Sequence, residues 1–494
     1  MPKGKPNVVL MVSDRQHWDS IHASGTAQVR TPHLDRLAGD GVLFRRAYTT
    51  SPICTPARMA LLSGLYPHTH GMVANHQTRF GPHVMRYAAD VTNLGQYLRP
   101  LGYACGYVGK WHLATGSRRP GFDDFVSRGR DYDVDSPADN EVLQLATRLG
   151  YRLGGKQGGD DLEPERSDFR LQVGPQLLPL AFHPSHYFMD RAIEWVRRMA
   201  HDPRPFLLVY SCRDPHPPFS APEPFFGMYP PEETDIPATR HDPAGEWVRS
   251  NRKDIHLRRT LRGLTDEELQ RVHAGFRSSV SYVDHLVGRL VATLVETEQF
   301  DNTVFIYTSD HGEMLGHHGL FGQFAVLYED VLRIPLIVRP PGGLGRAQVC
   351  DRLVSHVDLA PTLVRWCGGT PPEGLHGADA GDLLRGGNGA IHEAVGGEYH
   401  SANWTDPPTP MRAWITERWK YVATQDGTDE LYDLAADPRE TRNLIDDVAA
   451  ATARSEARRG FQAWLRATGD TWPAVRQPPF IQLEGVPVAG QRPA

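Results

Sequence analysis

Four short apolar runs in this chain each stop at ionisable residues, and that pattern restricts the folds open to it. Asn7–Ser13 (NVVLMVS) is apolar almost throughout, as a strand buried on both faces requires, and it ends at Asp14. Thr303–Ser309 (TVFIYTS) leads into Asp310-His311-Gly312-Glu313. Phe206–Ser211 (FLLVYS) leads into Arg213-Asp214-Pro215-His216-Pro217, and residues 103–108 (YACGYV) lead into Gly109-Lys110-Trp111-His112. Open α/β sheets bind ligands outside the carboxyl ends of their strands, so these ends predict a single convergent site.

Between the runs lie helical patterns. Thr265-Asp266-Glu267-Glu268 forms a capping box, followed at helical spacing by Leu269, Val272, Phe276, Val280, Val283, Leu286, Val287 and Leu290. Ser185 or Asp190 begins a helix carrying Ala192, Ile193, Trp195 and Val196. The fold class is therefore α/β, a large mixed, mainly parallel sheet flanked by helices. The Gly- and Pro-rich stretch at 369–374 marks a boundary. The expected division is a catalytic domain over 1–370, a smaller α+β domain over 371–470 and an extended tail over 471–494. In the second unit, runs at 413–416, 419–423 and 430–434 read as short antiparallel strands and 448–467 as a helix. The Pro-rich tail is a candidate subunit contact, and hence a route to a homo-oligomer.

Composition narrows the partners. The chain has 494 residues, 23% charged and 40% hydrophobic, which is the balance of a globular protein. No apolar run approaches the roughly 18 residues of a membrane span. A formal net charge of -6 without a basic block gives no reason to expect nucleic acid or anionic membrane as partner. The N-terminal apolar segment, about six residues long, is too short for a secretory signal, so a cytoplasmic location is expected. Cysteines at 54, 105, 212, 350 and 367 form no CxxC pair, and reduced thiols follow.

Cys54-Thr55-Pro56-Ala57-Arg58 carries the sharpest chemistry. Pro56 suits a first helical turn, so a helix begins beside Cys54, and its N-terminus together with Arg58 favours an anion. The same surroundings would lower a thiol pKa. Protein tyrosine phosphatases, however, place five residues between their cysteine and arginine, and here three intervene. A buried cysteine before an ordinary helix is the plainer alternative.

The stretch resembles the sulfatase signature C-x-P-x-R, and the similarity extends along most of the chain. Thr31-Pro32-His33-Leu34-Asp35-Arg36-Leu37-Ala38, Gly64-Leu65-Tyr66-Pro67-His68, Gly109-Lys110-Trp111-His112-Leu113 and Glu430-Leu431-Tyr432-Asp433-Leu434 all look like landmarks of sulfatases within the alkaline-phosphatase-like superfamily. The resemblance implies hydrolysis of a sulfate monoester by S–O cleavage through a covalent sulfated intermediate. The nucleophile would be formylglycine, made from Cys54 by a formylglycine-generating enzyme. It implies one divalent metal ion, Ca²⁺ favoured, with Mg²⁺ also suited to the carboxylates and Mn²⁺ or Zn²⁺ admitted by the imidazole, held by Asp14, residue 54, Asp310 and His311. Arg58 would hold the nucleophile, and Lys110 and Asn75 would bind ester oxygens. His216 would protonate the departing alcohol or phenol, and His112 would take the proton whose loss expels sulfate.

Some positions depart from the pattern. Arg15, where relatives carry an acid or amide, cannot coordinate a cation and is expected to turn onto a neighbouring carboxylate. Gln323, in Leu320-Phe321-Gly322-Gln323, stands where relatives usually have a second sulfate-binding lysine; an amide binds an ester oxygen without balancing its charge, and Arg79 is a candidate substitute cation. His317 and His318 are expected on the surface. Trp111, Trp404 and Trp414 are either core or, in the site of a small-molecule or saccharide leaving group, platforms that stack on a sugar or aryl ring or cage a quaternary ammonium. Two alternatives stay open: a phosphonate monoester or phosphodiester hydrolase on the same scaffold, and a non-catalytic binder of sulfate esters.

Overall fold

The computed structural model describes residues 4–473, except 27, 76–82, 85–90, 114–120, 128–172, 175–178, 252–262, 324 and 401–408, together with 481–482. Arg79 and Trp404 lie outside the described residues, as does most of the 471–494 tail. The strands of its main unit are β1 (Asn7–Ser13), β2 (Val42–Tyr48), β3 (His83–Val84), β4 (Ala104–Gly109), β5 (Asp124–Ser127), β6 (Phe206–Ser211), β7 (Thr303–Ser309), β8 (Arg333–Arg339), β9 (Gln348–Cys350) and β10 (Val354–Ser355). All but β3 form one nine-stranded sheet in the order β10-β2-β8-β7-β1-β6-β4-β5, with β9 also on β2. The strands expected to carry chemistry, β7, β1, β6 and β4, are consecutive neighbours and mutually parallel. Their carboxyl ends therefore meet at one edge. Only β8 runs against its neighbours.

Side-chain alternation along β1 assigns the two faces. Val8, Leu10 and Val12 belong to one apolar cluster, and Val9 and Met11 to the other. The first cluster receives α2 (Cys54–Ser63) and α5 (His356–Trp366); the second receives α1 (Pro32–Gly39), α3 (Pro184–Met199) and α4 (Asp266–Glu296). The capping box forms as read: Thr265 Oγ1 accepts from Glu268 N at 3.2 Å and Glu268 Oε2 accepts from Thr265 N at 3.1 Å. The α3 helix begins at Pro184, beside the expected Ser185. Every residue of α2 is buried, and a side chain such as Leu61 or Met59 contributes about 1.5–3 kcal/mol on burial. That anchors the helix whose first residue is Cys54.

A second, antiparallel sheet follows, β11 (Val395–Tyr399), β12 (Met411–Ile415), β13 (Trp419–Thr424) and β14 (Glu430–Asp433), with α6 (Ala451–Thr468) against it. Its first strand docks beside the signature, Glu398 N donating to Thr50 O at 2.8 Å. In the tail, β15 (Ile481–Gln482) pairs with β3 of the same chain. No helix among the described residues is long and apolar enough to cross a membrane.

Candidate active site

The site is assembled from the ends of four strands and the start of one helix. Asp14 follows β1, Asp310 and His311 follow β7, Lys110 follows β4, Ser211 ends β6, and Cys54 opens α2. One donor atom from each of Asp14, Cys54, Asp310 and His311 lies within 4.8 Å of the others, and all four residues are buried. Cys54 Sγ is 3.1 Å from His311 Nε2 and 3.9 Å from Asp14 Oδ1. His311 Nδ1 lies 2.8 Å from the Gly312 carbonyl; with the proton on that nitrogen, Nε2 presents its lone pair to the cluster.

This donor set fits a divalent cation. Asp310 Oδ2 and Arg58 Nη2 are 2.9 Å apart, yet neither makes a hydrogen bond. Buried charged atoms held together without directed bonds suit an arrangement in which an ion takes part of the carboxylates' charge. A second group of metal-type donors, His17, His317 and Asp330, fits less well. The His17 and His317 rings stack with planes 8° from parallel and centroids 5.1 Å apart, so no ion lies in both ring planes where the lone pairs point.

The cations of the site are braced from below. Arg58 Nη1 donates to Ser211 Oγ at 2.6 Å and to Lys110 O at 3.2 Å, and Nη2 is 3.4 Å from Asp14 Oδ2. Lys110 Nζ pairs with Asp14 and is 4.0 Å from Cys54 Sγ. Gly109 makes that approach possible: its φ is +110°, and a Cβ there would come 2.0 Å from Ser211 O. Burial raises the Cys54 thiol, but Lys110 chiefly, with His311, overcomes this and brings it to about 6. Burial likewise opposes a charged His311, while Asp310 and Cys54 hold it at about 9. Asp14 stays well below the carboxylate range despite burial, held by Lys110 first.

The histidines expected to move protons flank this centre. His112, with φ 53°, is held by Thr55 Oγ1, which donates to its carbonyl at 2.6 Å; its Nδ1 is buried without a hydrogen bond. His216 Nδ1 is 2.6 Å from the Pro217 carbonyl. Burial, then the Arg15 charge, pushes His216 well below its ordinary value. Asn75 Oδ1 accepts from Thr55 N at 3.0 Å, capping the first turn of α2 and leaving its NH₂ as donor. Gln323 is fully buried, and neither its amide oxygen nor its nitrogen has a hydrogen-bond partner.

Arg15 turns onto Glu313, Nη1 to Oε2 at 3.0 Å, while its backbone N donates to Asp310 Oδ1 at 3.1 Å. The other oxygen of Glu313 accepts from Gly322 N, tying the residue after Asp14 to the loop that carries Gln323. His318 is not on the surface. It is fully buried between Asp242 at 2.6 Å and Asp330 at 3.3 Å, stacked on Tyr328, and His317 is partly buried beside Asp330. Trp111 is core, edge-on to Tyr107 with centroids 4.8 Å apart, and Trp414 is half-buried in the second domain's apolar cluster. Ser211 and Thr55 brace the site but were not read from the sequence. The one signal was that each apolar run closes on a hydroxyl or a glycine.

Comparison with known proteins agrees with this architecture. The Sulfatase family model matches residues 6–369, and the model for the C-terminal part of N-sulphoglucosamine sulphohydrolase matches 316–463. The chain is 31% identical to the uncharacterized sulfatase YidJ of Escherichia coli, over 92% of this chain and 85% of that protein. It is 28% identical to an arylsulfatase of Clostridium perfringens, over 89% and 90% of the two chains. Among solved structures, a phosphonate monoester hydrolase of Agrobacterium radiobacter superposes with a TM-score of 0.76 at 24% identity, covering 94% of this chain and 96% of its own, a likeness of fold. With the family model spanning most of its length over a site of this composition, the chain belongs to the sulfatase family and is a sulfuric ester hydrolase.

Proposed function

We propose that this chain hydrolyses the sulfate monoester of a small molecule or saccharide, using formylglycine derived from Cys54 and one divalent cation, Ca²⁺ first. The observation that carries this reading is the position of Cys54: first residue of a buried helix, its sulfur amid two carboxylates and an imidazole, with Lys110 and Arg58 adjoining. The converted residue and the cation supply the nucleophile and polarise the ester.

The chain's own groups do the rest. Lys110, the Asn75 NH₂ and the Gln323 amide supply donors for the nonbridging oxygens, worth most where charge develops. His216 gives a proton to the leaving oxygen, and an anionic ester beside it raises its basicity toward the working range. His112, with a lone ring nitrogen unused, accepts the proton whose removal releases sulfate. The match to the N-sulphoglucosamine sulphohydrolase C-terminal model supports a saccharide leaving group.

A second reading, phosphonate monoester or phosphodiester hydrolysis, is kept open by Gln323, which stands where sulfatases usually carry a lysine, and is supported by the fold shared with a phosphonate monoester hydrolase. The direct test of the first is Cys54→Ala, assayed by sulfate release from an aryl sulfate. Turnover falls to the uncatalysed background; a variant with undiminished rate refutes the role of residue 54.

A further inference from the structure

The donor atoms around Cys54 carry a consequence for the chain before conversion. Three of the donors, the Asp14 and Asp310 carboxylates and His311 Nε2, are hard or borderline; the fourth, Cys54 Sγ, is the one soft atom of the set. Sγ lies 3.1 Å from Nε2 and 3.9 Å from Asp14 Oδ1. An ion with bonds of about 2.0–2.3 Å to nitrogen, oxygen and sulfur in tetrahedral array places neighbouring donors roughly 3.3–3.6 Å apart. The observed distances bracket that edge, so small shifts bring them to it.

Orientation agrees with distance. The Gly312 carbonyl holds His311 Nδ1, so Nε2 faces the cluster, 3.1 Å from the sulfur, and becomes the ring's ligating atom once an ion displaces its proton. A coordinating cation deprotonates a thiol outright, so Cys54 would ligate as the thiolate. The other cysteines, at 105, 212, 350 and 367, are buried, and among the described residues none joins a group of metal-type donors.

We propose that the chain with unconverted Cys54 is a thiolate site of Asp₂HisCys type that selects Zn²⁺-like ions over Ca²⁺, and that conversion of Cys54 to an oxygen donor shifts the site toward hard cations. Conversion would then change the metal preference as well as create the nucleophile. The proposal rests on the reading that residue 54 is converted in the active form, but it concerns the form that is not.

The test uses folded protein shown by peptide mass to carry unmodified Cys54, stripped of metal and titrated with Co²⁺. A thiolate-to-cobalt charge-transfer band is expected in the near ultraviolet, saturating at a single equivalent, bleached by Zn²⁺ and untouched by excess Ca²⁺. Cys54→Ala, with its melting transition retained, loses the band, and Cys212→Ala keeps it. Calorimetry of converted protein gives a smaller ratio of Zn²⁺ to Ca²⁺ affinity than unconverted protein. Absence of the band in folded protein, its persistence in Cys54→Ala, displacement by Ca²⁺ or an unchanged affinity ratio overturns the proposal. Failure of the sulfatase reading would show separately, as converted, metal-loaded protein that releases no sulfate from any ester.

Discussion

Two buried clusters of charge sit at either end of the Thr50 to His70 segment, and they are built to opposite ends. At the junction with the second domain, His68 Nδ1 meets Glu398 Oε1 at 2.6 Å, Arg412 Nε meets Asp470 Oδ2 at 2.6 Å, and His400 Nε2 meets Glu398 Oε2 at 2.8 Å. Each carboxylate there has a cation in directed contact, and of these five residues only His400 leaves a buried side-chain atom, Nδ1, without a hydrogen bond. At the strand ends, Asp310 Oδ2, Arg58 Nε and Nη2, His112 Nδ1 and both amide atoms of Gln323 are buried without hydrogen bonds. A closed network secures one domain on another, whereas an open one holds charged groups in readiness for an ion and an ester.

Substitution should separate the two. In the open cluster, Lys110→Ala removes the proposed donor to the ester and is expected to lower kcat by about 10²–10³-fold, with the melting temperature little changed because Arg58 still faces Asp14. In the closed cluster, Arg412→Ala leaves Asp470 and Glu398 buried with too few cations, and breaking such a pair costs about 3–5 kcal/mol. Denaturant unfolding measures that loss, while kcat/KM of the remaining folded protein stays near the parent value. If Lys110→Ala unfolds the chain, or Arg412→Ala reduces turnover without loss of stability, the division between the clusters fails.

A smaller, pH-dependent effect sharpens the same comparison. Burial opposes a charged His68, but Glu398 holds it at about 9, above the ordinary 6.5. A raised histidine stabilises the fold fully below its unfolded value and loses that contribution as pH climbs through the folded one. Melting temperature should therefore decline between about pH 6.5 and 9, and more shallowly in His68→Gln. Equal slopes would mean that His68 does not carry the linkage.

How much of this could be read from the residues follows from where the signals lie. β1, β6 and β7 were legible because an unbroken apolar run bounded by ionisable residues has few other uses, and β4 differs by one residue at each end because Gly109 still pairs with Ser211. β2, β8 and β11 were not. Arg45 and Arg46 interrupt β2 at an irregularity between Phe44 and Ala47, Pro335 lies inside β8, and β11 contains Gly396 and Gly397, packed against Trp464 and Leu332. Each breaks the local rule for a strand and is tolerated because a distant partner decides. The same holds for His317 and His318. A polar pair in a glycine-bounded turn reads as surface, and only the fold brings Asp330 and Asp242 against it. Asp14, Cys54, Asp310 and His311 converge because each stands at the end of an element whose direction the sequence reveals. Arg58's dependence on Ser211 joins residues 153 positions apart and is visible only in three dimensions.

Which ester is hydrolysed decides between the two activities. Protein with Cys54 converted, as shown by peptide mass, and loaded with a divalent cation should be compared for kcat/KM across matched aryl sulfate, phosphonate monoester, phosphodiester and phosphomonoester substrates. A sulfate preference of several orders of magnitude is the expected result and makes Gln323 a determinant of fine specificity. A preference for the phosphonate or the phosphodiester would contradict it and identify Gln323 as the mark of a changed reaction.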